Sequence, residues 1–150
     1  MNDIRRIMVV ATDIKHSRET VRYGVSLARK YDAELVVLHV EHDPFGEDGW
    51  NLPFLSVEDE YKALLKEAKK NLTNVVLAES TGGLPVKELI REGEPIGVIR
   101  KVVEEEKIDL LLLAAHEESR LEHLLFGRIN DAVIRSLPCS ILLVKQDPGA

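Results

Sequence analysis

The sequence predicts an α/β fold in which a mainly parallel sheet is covered by helices on both faces. Short apolar, β-branched runs alternate along the chain with longer segments whose apolar residues recur at intervals of three and four. The short runs are continuously apolar, which is typical of strands buried on both faces. Each helical segment is long enough to form the crossover between two parallel strands.

The first elements are a strand, a helix and a second strand. Residues 4–11 form an apolar run that ends before Asp13, and Ser17 is a candidate N-cap for a helix that continues through Thr20. Leu35–Val40 predicts a second buried strand. The helix can cover the sheet, because apolar residues recur at helical spacing at Val21, Val25 and Ala28.

Residues 41–56 interrupt this pattern with prolines and glycines and therefore predict a loop. The loop carries several large apolar side chains, namely Phe45, Trp50, Phe54 and Leu55. Two roles remain open for it. The loop either folds back over the domain or acts as a lid or partner contact.

The second half of the chain predicts two more helices and three more strands. The first helix begins near Ser56–Asp59, which resembles a capping box, and continues at helical spacing to Val76. The second begins at Glu94–Pro95, because proline is favoured in a first helical turn. Apolar runs predict the remaining strands at Val86–Arg91, Asp109–Leu113 and Ser140–Lys145.

The composition fits one cytoplasmic domain spanning residues 1–150, with 45% hydrophobic and 31% charged residues. No apolar run approaches the roughly 20 residues needed to cross a bilayer, and Asp3 near Arg5 and Arg6 does not fit a signal peptide. The net charge of −6 argues against general attraction to nucleic acid. Cys139 is the only cysteine, so no internal disulfide can form, and its apolar surroundings predict an inert, buried thiol.

The most informative stretch runs from Leu110 to Glu117 and is followed by Gly127–Arg128. A buried strand that continues through a glycine loop into a helix can bind phosphate with backbone N–H groups. The stretch resembles the nucleotide loop of the universal stress protein family, in which glycine, two residues, glycine, nine residues and glycine precede serine or threonine. In that register Ala114 and Glu117 replace the two leading glycines, Gly127 matches the third, and Arg128 replaces the hydroxyl residue.

This resemblance covers nearly the whole chain. Ile7–Asp13 is similar to the family's opening strand and acid, Leu38–Val40 to the end of its second strand, and Leu137–Val144 to its fifth strand with the proline-cysteine entry. The resemblance implies a Rossmann-like sheet with strand order 3-2-1-4-5. It also implies a nucleotide crevice in which Asp13 and Val40 hold the adenosine part, while the loop from Ala114 to Gly127 meets the phosphates.

Because the carboxylate of Glu117 would repel phosphate, we expect this crevice to bind ATP weakly or not at all. A carboxylate about 4 Å from a phosphate charge costs roughly 1 kcal/mol in water and about 4 at an effective dielectric near 20, and each 1.4 kcal/mol is about tenfold in affinity. Arg128 can pair with Glu117 and close the crevice. We therefore expect a regulatory or binding module in the stress response, with ATP or AMP plus magnesium a disfavoured cofactor. The alternative is an ATP or AMP sensor in which Arg128 neutralises Glu117 or contacts phosphate.

No catalytic constellation appears in the sequence, which favours a non-enzymatic role. Asp13, His16 and Ser17 lie within one short turn and cannot readily form a nucleophile relay, and Cys139 enters its strand at the edge opposite His39 and His116. A third hypothesis is a metal-linked interaction protein, since imidazoles and carboxylates can ligate zinc or nickel. No metal ligand is assigned, but the candidates are His16, His39, His116, Asp13 and His42–Asp43.

The final strand, Ser140–Lys145, is expected to lie at an edge of the sheet, where an apolar strand invites pairing with another chain. The family resemblance implies a homodimer formed by antiparallel pairing of fifth strands. The alternative is a solvent-exposed edge protected by Lys145. A regulatory role also implies a partner protein, which these residues do not identify.

Overall fold

The structure is a computed structural model that describes residues 3–41, 57–79, 82–115, 135–136 and 139–145. Its strands are β1 (Arg6–Val10), β2 (Glu34–Glu41), β3 (Val86–Glu92), β4 (Leu110–Ala115) and β5 (Ser140–Lys145). Its helices are α1 (Arg18–Tyr31), α2 (Val57–Glu79) and α3 (Pro95–Glu106), and a single 3-10 turn, Ile14–His16, precedes α1. The loop predicted at residues 41–56 lies outside the described residues except for Glu41.

The five strands form one sheet in the order β3-β2-β1-β4-β5, and every adjacent pair is parallel. At the centre, Val9 of β1 lies opposite Val37 of β2 on one side and Leu112 of β4 on the other. This arrangement confirms the predicted fold class and the strand order implied by the family resemblance.

Helices cover both faces of the sheet, as the continuous apolar runs predicted. Alternate residues of β1 point to opposite faces, so Ile7 and Val9 join one core while Met8 and Val10 join the other. The first core includes apolar residues of α1 and α2, and the second includes those of α3. Both cores contain residues of the central strands β1, β2 and β4, which explains why these strands are almost entirely apolar.

The start of α1 differs from the expectation at Ser17. Ser17 does precede the helix, but its hydroxyl donates to the Ile14 carbonyl oxygen at 2.7 Å and makes no cap bond to the helix. The reason is that Ser17 continues the Ile14–His16 turn with φ −95 and ψ −2, whereas a capping side chain needs extended backbone. At α3, Glu94 does act as the N-cap, accepting from the Ile96 and Gly97 N–H groups at 3.1 and 2.8 Å.

Asp109, which precedes β4, links two strands at the edge of the sheet where the strands begin. Its Oδ2 accepts from the backbone N–H groups of Arg5 and Arg6, both at 2.9 Å, and so joins the start of β1 to the start of β4. Cys139 lies beside this edge and is partly buried against the α3 core. Burial, helped by the Asp109 charge, raises the pKa of the Cys139 thiol.

Candidate functional site

The strand order places a topological switch point at the carboxyl ends of β1 and β4. Within the sheet, β1 lies between β2, the next strand along the chain, and β4, so the strand order reverses direction at β1. Ligands of open α/β sheets bind at such switch points. Asp13 follows β1, and Ala114 is the last residue but one of β4. Both lie beyond the paired residues Val9 and Leu112, toward the same edge.

Asp13 is held by its own turn. Its Oδ1 accepts from the Lys15 N–H at 3.2 Å, and its Oδ2 accepts from Nδ1 of His16 at 2.6 Å. Asp13 is also the N-cap of the Ile14–His16 turn, with φ −120 and ψ 109. Its side chain remains 44% exposed, so the carboxylate faces solvent while both of its oxygens already accept a hydrogen bond.

His39 joins the ends of β1 and β2. Its buried ring places Nδ1 2.7 Å from the Ala11 carbonyl oxygen and Nε2 2.8 Å from Oε2 of Glu41. A neutral imidazole has one N–H, and both partners here are acceptors. A ring N–H of His39 donates to one of these acceptors, and the ring thereby links the end of β1 to the end of β2.

This linking role of His39 was missed by sequence reasoning, which weighed His39 as a metal ligand, a reactive partner or an ordinary solvated or capping histidine. A signal was available in the sequence. His39 interrupts an otherwise apolar strand, and Glu41 stands two residues later, which places the two side chains on the same face of β2.

The other predicted site residues are only partly described. Val40 is half-buried and packs against the α3 core, and Ala114 is buried. Glu117, Gly127 and Arg128 lie outside the described residues, as do His116, His42 and Asp43. The structure therefore brings Asp13 and Ala114 to one edge of the sheet, with Val40 at the end of the neighbouring strand β2.

The described histidines at this edge of the sheet each pair with a carboxylate. His16 faces Asp13, and His39 faces Glu41. Within the described ranges, no three histidine, cysteine, aspartate or glutamate side chains come together as a metal site. The Ser17 hydroxyl donates to the Ile14 carbonyl, so Ser17 does not complete a relay with His16 and Asp13.

In the part of the chain that the structure describes, no helix combines the length and apolar character needed to cross a membrane.

Comparison with known proteins identifies the family. The model of the universal stress protein family matches residues 3–145. Universal stress protein MJ0531 of Methanocaldococcus jannaschii is 27% identical over 150 residues, which cover 97% of this chain and 84% of that protein.

Two solved structures show the same fold. Protein MJ0577 of Methanocaldococcus jannaschii is 23% identical, with a TM-score of 0.70, and the match covers 97% of this chain and 99% of that one. A universal stress protein from Archaeoglobus fulgidus in complex with dAMP is 18% identical, with a TM-score of 0.59 and coverage of 97% and 100%. Because the family model matches nearly the whole sequence and the strand order agrees, this chain belongs to the universal stress protein family.

Proposed function

We propose that the chain is a single-domain, cytoplasmic, homodimeric module of the stress response that binds or regulates a partner and has weak or no affinity for ATP. The observation that supports weak affinity is that the Asp13 carboxylate is already hydrogen-bonded. Both oxygens of its carboxylate accept hydrogen bonds from the Ile14–His16 turn, at 3.2 and 2.6 Å. A ligand hydroxyl that needs this carboxylate competes with His16 for it.

The charge at the phosphate end of the crevice acts in the same direction. Glu117 stands at a family glycine position, where backbone approaches the phosphates, and Arg128 stands where a hydroxyl residue is expected. Repulsion from one carboxylate weakens binding of an ATP phosphate by about fivefold in water and by several hundredfold or more at low dielectric. Pairing between Arg128 and Glu117 would keep both side chains in the crevice.

Calorimetric titration with ATP and magnesium tests the proposal. The wild-type protein should bind no tighter than the upper micromolar range, and the double replacement Glu117→Gly with Arg128→Ser should gain about tenfold or more in affinity. Adding Asp13→Asn to that double variant is the matched control for location. This third change should remove the gained affinity if the ligand lies in the crevice. Low-micromolar binding by the wild-type protein would overturn the proposal.

A second candidate function is a sensor of adenosine monophosphate (AMP). It is favoured by the complex of the Archaeoglobus fulgidus relative with dAMP. A monophosphate carries less negative charge toward Glu117 than a triphosphate does, so the same crevice can discriminate between them. Titration with AMP separates the candidates. Micromolar AMP binding together with weak ATP binding would identify a sensor, whereas weak binding of both supports the partner-binding module.

The homodimer is supported by the exposed edge of β5. This strand ends the sheet, and three of its apolar side chains are only partly covered, with Leu143 48% exposed and Ile141 and Leu142 half-buried. Antiparallel pairing of β5 with its copy would satisfy the edge hydrogen bonds and cover these side chains. We propose this pairing as the dimer contact.

Sedimentation analysis of two leucine variants tests the dimer contact. Leu143→Lys should shift the protein toward monomer, because it places a charge where the proposed contact would cover an apolar side chain. Leu77→Lys is the matched control, since Leu77 is 68% exposed on α2 and away from β5, and it should leave the assembly unchanged. A monomeric wild-type protein, or a Leu143→Lys variant that remains dimeric, would refute the contact.

A further inference from the structure

A second polar cleft lies between α1 and the end of α2. Its volume is about 410 Å³, and the residues that line it are Arg22, Val25, Ser26, Arg29, Ala78 and Glu79. Asp13, Val40 and Ala114 are not among them, so the cleft is separate from the crevice at the carboxyl ends of β1 and β4. A volume of this size lies within the range of small-molecule sites, about 300–1,000 Å³.

Glu79 provides a fixed negative charge at one side of the cleft. It is the last residue of α2, and its side chain is only 8% exposed. Arg22 donates to its Oε2 at 2.9 Å, and Arg18 donates to its Oε1 at 3.2 Å. The hydrogen bond from Arg22 lowers the pKa of Glu79, burial opposes this shift, and Arg18 adds to it. One ionised carboxylate thus orients two arginines.

Arg29 supplies a third guanidinium that this carboxylate does not neutralise. Its Nη2 lies 3.2 Å from the position that a Cβ atom on Gly82 would occupy, and Gly82 has φ +90. The guanidinium therefore lies against the turn after α2, where a glycine leaves room for it. Within the described part of the chain, the Arg29 guanidinium makes no hydrogen bond or ion pair.

The spacing of residues along α1 places the polar side chains that line the cleft on one face of the helix. Arg22, Ser26 and Arg29 follow one another at intervals of four and three, which places them on the same helix face. The exposed Ser26 hydroxyl lies between the two arginines in this row, while Val25 and Ala78 supply apolar contacts. Glu19 is the other acid whose charge acts on Arg22. The cleft thus combines two guanidinium groups, the Glu79 carboxylate that pairs with one of them, a hydroxyl and a small apolar wall on a chain of net charge −6.

We propose that this cleft binds a small organic phosphate. Guanidinium groups match phosphate oxygens in pairs of parallel N–H bonds, so Arg29, whose guanidinium does not pair with Glu79, contacts the phosphoryl group. Arg22 donates through Nη1, because its Nε and Nη2 already donate to Glu79, and the Ser26 hydroxyl donates a further bond. Val25 and Ala78 contact the body of the ligand. The recognised feature is a phosphoryl group on a compact body, since the volume exceeds what phosphate alone would fill.

The test is an NMR titration of the isotope-labelled full chain with glucose 6-phosphate, with glucose as the uncharged control. Saturable shifts are expected at the amides of Arg22 to Arg29 with the phosphate ester and not with glucose. Arg29→Gln should weaken binding by about tenfold or more, because it removes a charge-assisted contact. Among the described residues, the Arg29 side chain has no hydrogen bond or ion pair to lose, so this variant should fold normally.

Lys30→Gln is the matched control. Lys30 is the exposed neighbour of Arg29 on α1 and does not line the cleft, so this change removes the same charge without touching the site. It should alter the affinity by less than about twofold, as screening at physiological salt limits distant surface charges. Equal weakening by both variants, shifts confined to residues around Asp13 and Ala114, or no saturable shift would each overturn the proposal.

Discussion

A methyl group added at Gly24 tests how closely α1 packs against the sheet. A Cβ atom at this position would lie 2.5 Å from Cγ2 of Val9, 3.2 Å from Cδ1 of Leu35 and 3.8 Å from Cδ2 of Leu112. Val9 is completely buried in the centre of β1, so its methyl group cannot move aside without displacing other core residues. Glycine at position 24 is therefore required by the approach of the helix to β1 and its neighbours.

The expected cost follows from two opposing effects. Alanine gains about 1 kcal/mol over glycine in a helix interior, whereas overpacking a dense core costs roughly 1–3 kcal/mol. Because the contact of 2.5 Å is with a buried side chain, we expect the upper part of that range and a net loss of about 1–2 kcal/mol for Gly24→Ala. In a chain of this size, that loss lowers Tm by about 2–8 °C.

Replacing Val9 by alanine should reverse the sign of this effect. Val9→Ala alone should cost about 2–3 kcal/mol, from lost burial of two methyl-sized groups and the cavity that remains. In that background the Gly24→Ala methyl enters the vacated space, so only the helix gain remains and the second change should stabilise by up to about 1 kcal/mol.

Urea unfolding of the wild-type protein, the two single variants and the double variant measures this coupling. Gly97→Ala is the control for helix propensity, since Gly97 is exposed on α3 and its nearest contact would be 3.4 Å from Oε2 of Glu94. This control should stabilise the protein by about 0.5–1 kcal/mol. The packing argument is wrong if Gly24→Ala alone is neutral or stabilising, or if the two changes are additive.

Two further substitutions and one thiol reaction test other contacts. Glu79→Gln should cost about 1 kcal/mol of unfolding free energy at pH 7. Since the folded pKa of Glu79 is lowered, its contribution is present above the unfolded value near 4.3 and lost as pH falls through the folded value, so wild type and variant should converge in acid urea titrations. Cys139 should react with iodoacetamide at pH 8 more slowly than free cysteine, because its pKa is raised, and unfolding should remove the difference. His39→Leu leaves the Ala11 carbonyl and Glu41 without their partner and should cost about 2–3 kcal/mol in thermal unfolding; a loss below about 0.5 kcal/mol would contradict the link.

The fold class could be predicted from the sequence because buried strands and helices differ in the spacing of their apolar residues. Val9, Val37 and Leu112 belong to apolar runs without alternation, and these became the three central strands. The intervals of four and three in α1 marked the face that packs on them. The strand order did not follow from this alternation, since several orders satisfy it, and it came from the family resemblance.

The contacts of the candidate site were less readable. Asp13 was expected at the crevice because residues after parallel strands gather at one edge. Its bond to His16 depends on the exact dihedral angles of a short turn, which residue types alone do not determine. The pairing of Glu79 with Arg22 joins positions 57 residues apart, and no local pattern records such a separation.

Two different histidines support the strand ends at this edge and bind the Asp13 carboxylate: His39 holds Ala11, and His16 contacts Asp13. The Ala11 N–H donates to the Leu38 carbonyl oxygen at 2.8 Å, and the Ala11 carbonyl oxygen accepts from His39 at 2.7 Å. Both backbone groups of Ala11 are thus bound to β2, which sets the direction in which the chain leaves β1 before it reaches Asp13. A ligand that draws on the Asp13 carboxylate has to weaken its bond to His16, while the strand behind it stays in place. Under the proposed function, differences in affinity at this crevice should therefore follow from His16 and from the charges of Glu117 and Arg128, because His39 holds the strand ends independently of Asp13.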